Sequence, residues 1–278
     1  MMLLKAIIAG LLAAPTALAA QLTKVNYPND ASSKADMYIY VPDKVVANPP
    51  LVVVIHSCQS SAQAYFQNSL IPWHRGSDTC WDVSSKASLM HGGGGDTQAI
   101  SNMIKYAISQ YKVDASRVFV TGGSSGAMMS NVLAATYPEQ IQALSLYSGV
   151  PAGCFLSSSG GVDQWNSSCA SGQVSASADA WGNVARNMYP GYDGTRPRMQ
   201  IWHGSADSTL SPQNYNEEIK QWTNVFGIGQ TPTSSTKNRP QSNYQTDDYG
   251  PNVQGIYATG VGHSVPSNLT ASEEWFGL

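Results

Sequence analysis

Gly122-Gly123-Ser124-Ser125-Gly126 has a G-x-S-x-G spacing, directly after Arg117–Thr121 (RVFVT) and before an apolar helical stretch, Met128–Tyr137. A strand that turns this tightly into a helix accepts only small residues around the turn. It holds a serine hydroxyl out over the sheet, with the positive end of the helix beneath it. Ser124 satisfies the glycine spacing, whereas Ser125 would put Ala127 at the last small position, so Ser124 is the candidate nucleophile. A serine needs a base, usually histidine, itself oriented by a carboxylate. The expected chain order for this motif is Ser, Asp, His, and His203-Gly204-Ser205-Ala206-Asp207 and Gly260-Val261-Gly262-His263 supply it. Both follow strand-like runs, and the carboxyl ends of parallel strands share one edge, so Ser124, Asp207 and His263 can converge. The chemistry implied is acyl transfer through a serine ester. The backbone N–H of Ser125 and one near Ser57 and Cys58, Cys58 being preferred, would hold the oxyanion.

Three other histidines compete for a role. His203 ends a strand four residues before Asp207, where a structural hydrogen bond is the expectation. His56 closes the Leu51–Ile55 run, and two readings stay open: shaping the oxyanion loop, or a buried structural role. His91-Gly92-Gly93-Gly94-Gly95 has the composition of an oxyanion loop but precedes a helix instead of following the Leu51–Ile55 strand, and is read as a plain loop.

The elements that must position these residues alternate along the chain. Asp36–Val41 alternates like a half-covered strand, and Leu51–Ile55 (LVVVI) is a β-branched run of the kind buried in parallel sheets. Ile100, Met103, Ile104, Ala107, Ile108 and Tyr111 follow helical spacing. Strands are expected at Ala143–Tyr147, Met199–Trp202 and Val253–Ala258, and helices at Ala178–Met188 and Ser272–Phe276. Another helix starts at Ser211-Pro212 and stops at Gly227, with Tyr215, Ile219, Trp222 and Phe226 facing inward. Gly227–Gly250 reads as a long polar surface excursion. The class is α/β, with a mainly parallel sheet flanked by helices.

The 278 residues are 42% apolar and 12% charged, against about 25% charged in a typical domain. Ser, Thr, Asn and Gln carry the polarity instead. The apolar and aromatic content excludes disorder, and a net charge of −3 argues against nucleic-acid binding. Residues 1–19 have a basic start at Lys5, a short apolar core and Ala17-Leu18-Ala19, a signal peptide with a cleavage site before Ala20. That core is about half the ~20 residues needed to span a bilayer, so no membrane association is expected. Residues 20–278 would then form one secreted domain, expected to be a monomer. Cys58, Cys80, Cys154 and Cys169 allow three pairings, of which the sequence-local Cys58–Cys80 and Cys154–Cys169 are favoured. Asn166 and Asn268 head N-x-[ST] sequons and are glycosylation candidates. No C-x-x-C or H-E-x-x-H occurs, so neither metal nor cofactor is expected.

Several strings together resemble the fungal acetyl xylan esterases of the first carbohydrate esterase family. They are Cys80–Leu89 (CWDVSSKASL), Gly122–Glu139, Ser148–Phe155, Trp165–Gln173, Gln200–Asp207 and Ser211–Gly227, spread over nearly the whole chain after the leader. The resemblance implies a lidless α/β-hydrolase fold and cofactor-free deacetylation of acetylated xylan. Ser124, Asp207 and His263 fall on the family's triad positions. Related feruloyl esterases share that triad, and a non-catalytic carbohydrate-binding protein is the alternative from another class. One departure stands out. The family has an additional apolar strand before its CWD motif, whereas Ala64–Thr79 has no strand-like run. The expected fold therefore lacks one strand between Ser57 and Asp96, which would expose the edge of Leu51–Ile55.

Overall fold

The computed structural model describes residues 21–33, 35–67 and 80–278. The expected signal peptide, residues 1–19, lies outside the described residues, as does most of the Ala64–Thr79 passage. Two short strands, β1 (Thr23–Val25) and β2 (Met37–Ile39), pair with each other in a separate antiparallel ribbon. The β-branched run forms β3 (Leu51–Ile55), followed by α1 (Ala62–Gln67), α2 (Asp96–Tyr111), β4 (Val118–Gly123), α3 (Ser125–Thr136) and β5 (Ala143–Tyr147). Then come α4 (Ser167–Ala170), α5 (Ala178–Asn187), β6 (Arg198–Gly204), α6 (Gln213–Val225), β7 (Ser234–Lys237), β8 (Tyr244–Asp248), β9 (Val253–Ala258) and α7 (Leu269–Phe276).

The main sheet runs β3-β4-β5-β6-β9-β8-β7, parallel from β3 to β9 and antiparallel in its last two strands. Alternate side chains of a strand point to opposite faces, and the two faces are covered unequally. Val118, Val120, Leu144, Leu146, Met199 and Ile201 share one core with Ile100 and Ile104 of α2, Leu133 of α3, Trp181 of α5 and Ile219 and Trp222 of α6. Each large apolar chain buried there contributes about 1.5–3 kcal/mol relative to exposure. The other face carries Phe119, stacked on Phe276 of α7, and a small cluster around Tyr147, Trp202 and Ile256.

Two expected features differ in the folded chain. Gly227–Gly250 is not a mere surface excursion, because it folds into the β7–β8 hairpin that extends the sheet beyond β9. Ser234–Lys237 is exposed throughout and carries no apolar residue, so hydrophobic periodicity had nothing to register. The hairpin joins the sheet through β8, where Tyr244 and Thr246 are buried against β9. The strand expected to be missing between Ser57 and Asp96 falls largely on residues 68–79, outside the described residues. The described residues of the Ser57–Asp96 span hold one short helix, α1, and no strand, and β3 forms a margin of the sheet. Val52 lies beside Phe119 and Val54 beside Thr121, on the face that α7 covers only further along. These two valines are 41% and 55% exposed.

The long 80–95 segment is organised by a single carboxylate. Asp82 accepts from the backbone N–H and hydroxyl of Ser84, the N–H and hydroxyl of Ser85, and the Ser88 hydroxyl. Burial pushes its pKa up, but these donors outweigh that and hold it below the ordinary carboxylate range. Disulfides join Cys58 to Cys80 and Cys154 to Cys169, the two sequence-local pairs.

Candidate active site

The elbow is tight because β3 ends directly beneath it. A Cβ on Gly126 would stand 2.1 Å from the Ile55 carbonyl oxygen, and one on Gly122 would stand 2.6 Å from the Gly126 backbone, so neither position admits a side chain. Ser124 between them has φ 54° and ψ −121°, a conformation costing about 1–3 kcal/mol that persists only where the surroundings enforce it. Its N–H is fixed by the Tyr147 carbonyl at 2.9 Å. Helix α3 begins at Ser125, three residues earlier than the apolar pattern implied, so the Ser125 N–H belongs to the unpaired first turn of that helix.

Asp207 and His263 arrive on two loops that pack against each other. A Cβ on Gly204 would lie 2.3 Å from the Val261 carbonyl oxygen, so only glycine lets the loop after β6 meet the loop after β9. The Ala206 N–H donates to Val261 at 2.9 Å, and the Ser148 hydroxyl donates to the His263 carbonyl at 2.7 Å. The side chains then form one chain of contacts. His263 Nε2 is 2.8 Å from Ser124 Oγ, and His263 Nδ1 is 2.8 Å from Asp207 Oδ2. Asp207 Oδ1 accepts from the N–H groups of Thr209 and Leu210 at 2.8 and 2.9 Å. Burial pushes the Asp207 carboxyl up, yet hydrogen bonds from His203 and His263 hold it well below the usual range. The result is an ionised, inaccessible carboxylate that fixes which imidazole nitrogen carries the proton.

The shallow cleft over Ser124 is lined by Ser57, Gly123, Tyr147, His263, Ser264 and Val265. The N–H of Ser57 donates to the Tyr65 hydroxyl at 3.0 Å, and Cys58 follows it, tied to Cys80. His56 shapes this loop: its Nδ1 lies 2.8 Å from the Ser57 carbonyl and its own carbonyl accepts from Trp81 Nε1. His91 has no part in the cleft; its Nδ1 lies 2.7 Å from the Thr136 carbonyl and its ring stacks on Tyr189. His203 is fully buried, with Nε2 2.9 Å from the Leu210 carbonyl and 3.3 Å from Asp207 Oδ2. Both sequon asparagines cap helices, Asn166 accepting from Cys169 N and Asn268 from Ala271 N.

Sequence reasoning passed over Tyr65, Tyr147, Asn131 and Glu218. Glu218 left a readable signal, since a charge at i+3 from Tyr215 and i−4 from Trp222 sits within the apolar stripe of α6. It is completely buried and bonded to Asn131 of α3, whose Oδ1 accepts from Trp222 Nε1. Among the described residues no group of three His, Cys, Asp or Glu side chains could hold a metal ion.

Comparison with known proteins follows the same lines. A family model described as esterase PHB depolymerase matches residues 35–239. Acetylxylan esterase A from Talaromyces purpureogenus is 54% identical over 274 residues, covering 94% of this chain and 72% of that protein. A probable acetylxylan esterase A from Aspergillus fumigatus is 55% identical over 256 residues, covering 87% and 69%. Among solved structures, the acetyl xylan esterase from Aspergillus awamori superposes with a TM-score of 0.89 at 48% identity, covering 92% of this chain and 99% of that one. A truncated carbohydrate esterase from gut microbiota, at 15% identity and a TM-score of 0.52, shares the fold alone.

Proposed function

This chain belongs to the esterase PHB depolymerase family, and within it to the fungal acetylxylan esterases; from that premise we propose that it is a secreted serine esterase that removes acetyl groups from acetylated xylan. The observation that carries the reading is the unbroken chain Ser124–His263–Asp207 at 2.8 Å per link. His263 Nε2 takes the proton of Ser124 Oγ as that oxygen attacks the acetyl carbonyl, while Asp207 holds Nδ1–H and stabilises the imidazolium. Backbone N–H groups of Ser125 and Cys58 hold the developing oxyanion, each worth about 2.7–4 kcal/mol in the transition state. The engagement of the Ser57 N–H with Tyr65 favours Cys58 as the second donor. His263 then passes its proton to the departing sugar oxygen. A water, deprotonated by the same imidazole, releases acetate and restores Ser124.

Residues 20–278 act as one esterase domain after removal of a signal peptide at residues 1–19. The disulfides suit an oxidising, extracellular compartment. Of the two sequons, Asn268 is the better glycan acceptor, because Asn166 Nδ2 already donates to the Cys154 carbonyl. The decisive assay compares acetate release from acetylated xylan with hydrolysis of methyl ferulate, for the wild type and Ser124→Ala. Xylan deacetylation that falls about 10⁴- to 10⁶-fold in the variant is expected. Preference for the ferulate, or substantial activity in the variant, would overturn the assignment.

A further inference from the structure

Asp207 has an imidazole on either side of it. His263 approaches Oδ2 from the cleft, and His203, from the last turn of β6, approaches the same oxygen from the interior at 3.3 Å. His203 Nε2 divides its hydrogen between that oxygen and the Leu210 carbonyl at 2.9 Å. Its other nitrogen, Nδ1, is buried with no hydrogen-bond partner, and so is Oε2 of Glu218. Both side chains are fully enclosed, and the charge of each shifts the pKa of the other, raising that of His203 and lowering that of Glu218. Glu218 is held in place by Asn131, on the helix that opens behind Ser124. One buried set of polar groups therefore runs from the nucleophile's helix through Glu218 and His203 to the triad carboxylate.

We propose that His203 is the positioning residue for Asp207: its Nε2–H, aimed at Asp207 Oδ2 from the interior, fixes the direction of the carboxylate that orients His263. A buried carboxylate is costly unless it is hydrogen-bonded, and His203 adds a donor to those that Asp207 receives from His263, Thr209 and Leu210. Burial lowers the His203 pKa, but the hydrogen bond it donates to Asp207 and the charge of Glu218 more than reverse it. Glu218 is itself pushed up to about 7 by burial, which His203 and Asn131 only partly offset. The titratable groups around this pair are Asp207 and His263 on the two catalytic loops and Tyr215 on α6, whose hydroxyl is pushed far above its ordinary range by burial and stays neutral.

This inference rests on the proposed triad, and its test is read from variants that still turn over. His203→Gln keeps an N–H aimed at Asp207, and His203→Leu removes it. Rates against pH with p-nitrophenyl acetate should show His203→Leu losing about 10- to 100-fold in kcat with little change in KM. His203→Gln should recover most of that loss. If His203→Gln is as impaired as His203→Leu, or if His203→Leu keeps the wild-type kcat, the role proposed for His203 is wrong. Ser124→Ala, run alongside, tests the triad separately: activity surviving there removes the proposed function, while wild-type kcat in His203→Leu removes only this inference.

Discussion

The two margins of the seven-stranded sheet are built from opposite materials. At one end β7 is Ser234-Ser235-Thr236-Lys237, exposed throughout, antiparallel and followed by Pro240. At the other, β3 is Leu51-Val52-Val53-Val54-Ile55, parallel and apolar, with Val52 and Val54 substantially exposed. Natural sheets blunt their edges with polar residues, lysine, proline and short strands; β7 has three of these, and Pro240 follows three residues beyond it. Strand β3 has the composition of an interior strand and stands at a margin among the described residues. The difference shows that the polar margin is a finished edge, while the β3 margin lacks such protection. It also separates two tasks, since every triad residue is carried by β4, β6 and β9, and β3 supplies only the floor of the elbow and the loop leading to Cys58.

If catalysis depends on the β4–β9 side, the largest effect comes from the triad acid. Asp207→Asn should lower kcat by about 10⁴-fold, since the amide presents the wrong partner to His263 Nδ1. Folding should persist, as followed by circular dichroism. Disulfide removal comes next. Replacing Cys154 and Cys169 by serine opens a 15-residue loop and should cost about 3 kcal/mol in denaturant unfolding while leaving kcat nearly intact. The equivalent change at Cys58 and Cys80 opens a 22-residue span of comparable entropic worth. It should also depress kcat, because it frees the loop proposed to carry the second oxyanion donor. Equal kcat in the two double variants would mean that the β3 end plays no part in positioning the reaction.

The Asp82 network gives a smaller effect with a defined sign. A carboxyl whose folded pKa is depressed contributes stability above its unfolded value, about 3.9, and loses that contribution as pH falls through the folded value. The stability gap between wild type and Asp82→Asn, measured by urea unfolding at pH 7, should therefore narrow steadily below about pH 4. The smallest change in stability, about 0.5 kcal/mol or less, is expected for Val52→Lys and Val54→Lys, because both positions face solvent. Light scattering should nevertheless show less self-association in these variants, whereas Thr236→Val on β7 should increase it. Matching behaviour at both margins would erase the contrast between them.

The nucleophile elbow, the order of the three triad residues and the parallel strands were legible because each is a local pattern: glycines at fixed offsets, runs of β-branched residues, loops that follow strands. The expectation of a missing strand before Trp81 came from the absence of any apolar run in Ala64–Thr79, a passage that lies mostly outside the described residues. The β7–β8 hairpin was not, because polar strands take their pairing from β9, whose free edge exists only once the sheet is assembled. Nor was the interior of α6, where Glu217 and Glu218 are both buried. Glu217 is satisfied by Trp181, Gln213 and Lys220, while Glu218 is bonded through one oxygen alone, to Asn131 at a separation of 87 residues.

The residue types and spacings by themselves determined which atoms could do chemistry and which sheet edge would carry them. Only the tertiary structure decided how those atoms are held. The cost of burying a charge depends on every neighbour that folding brings to it, and those neighbours come from strands and helices far apart in the chain. Asp207 shows both halves. Its place after a strand and before the last histidine marks it in the sequence, and its enclosure by His203, Thr209, Leu210 and His263 exists only in the folded molecule.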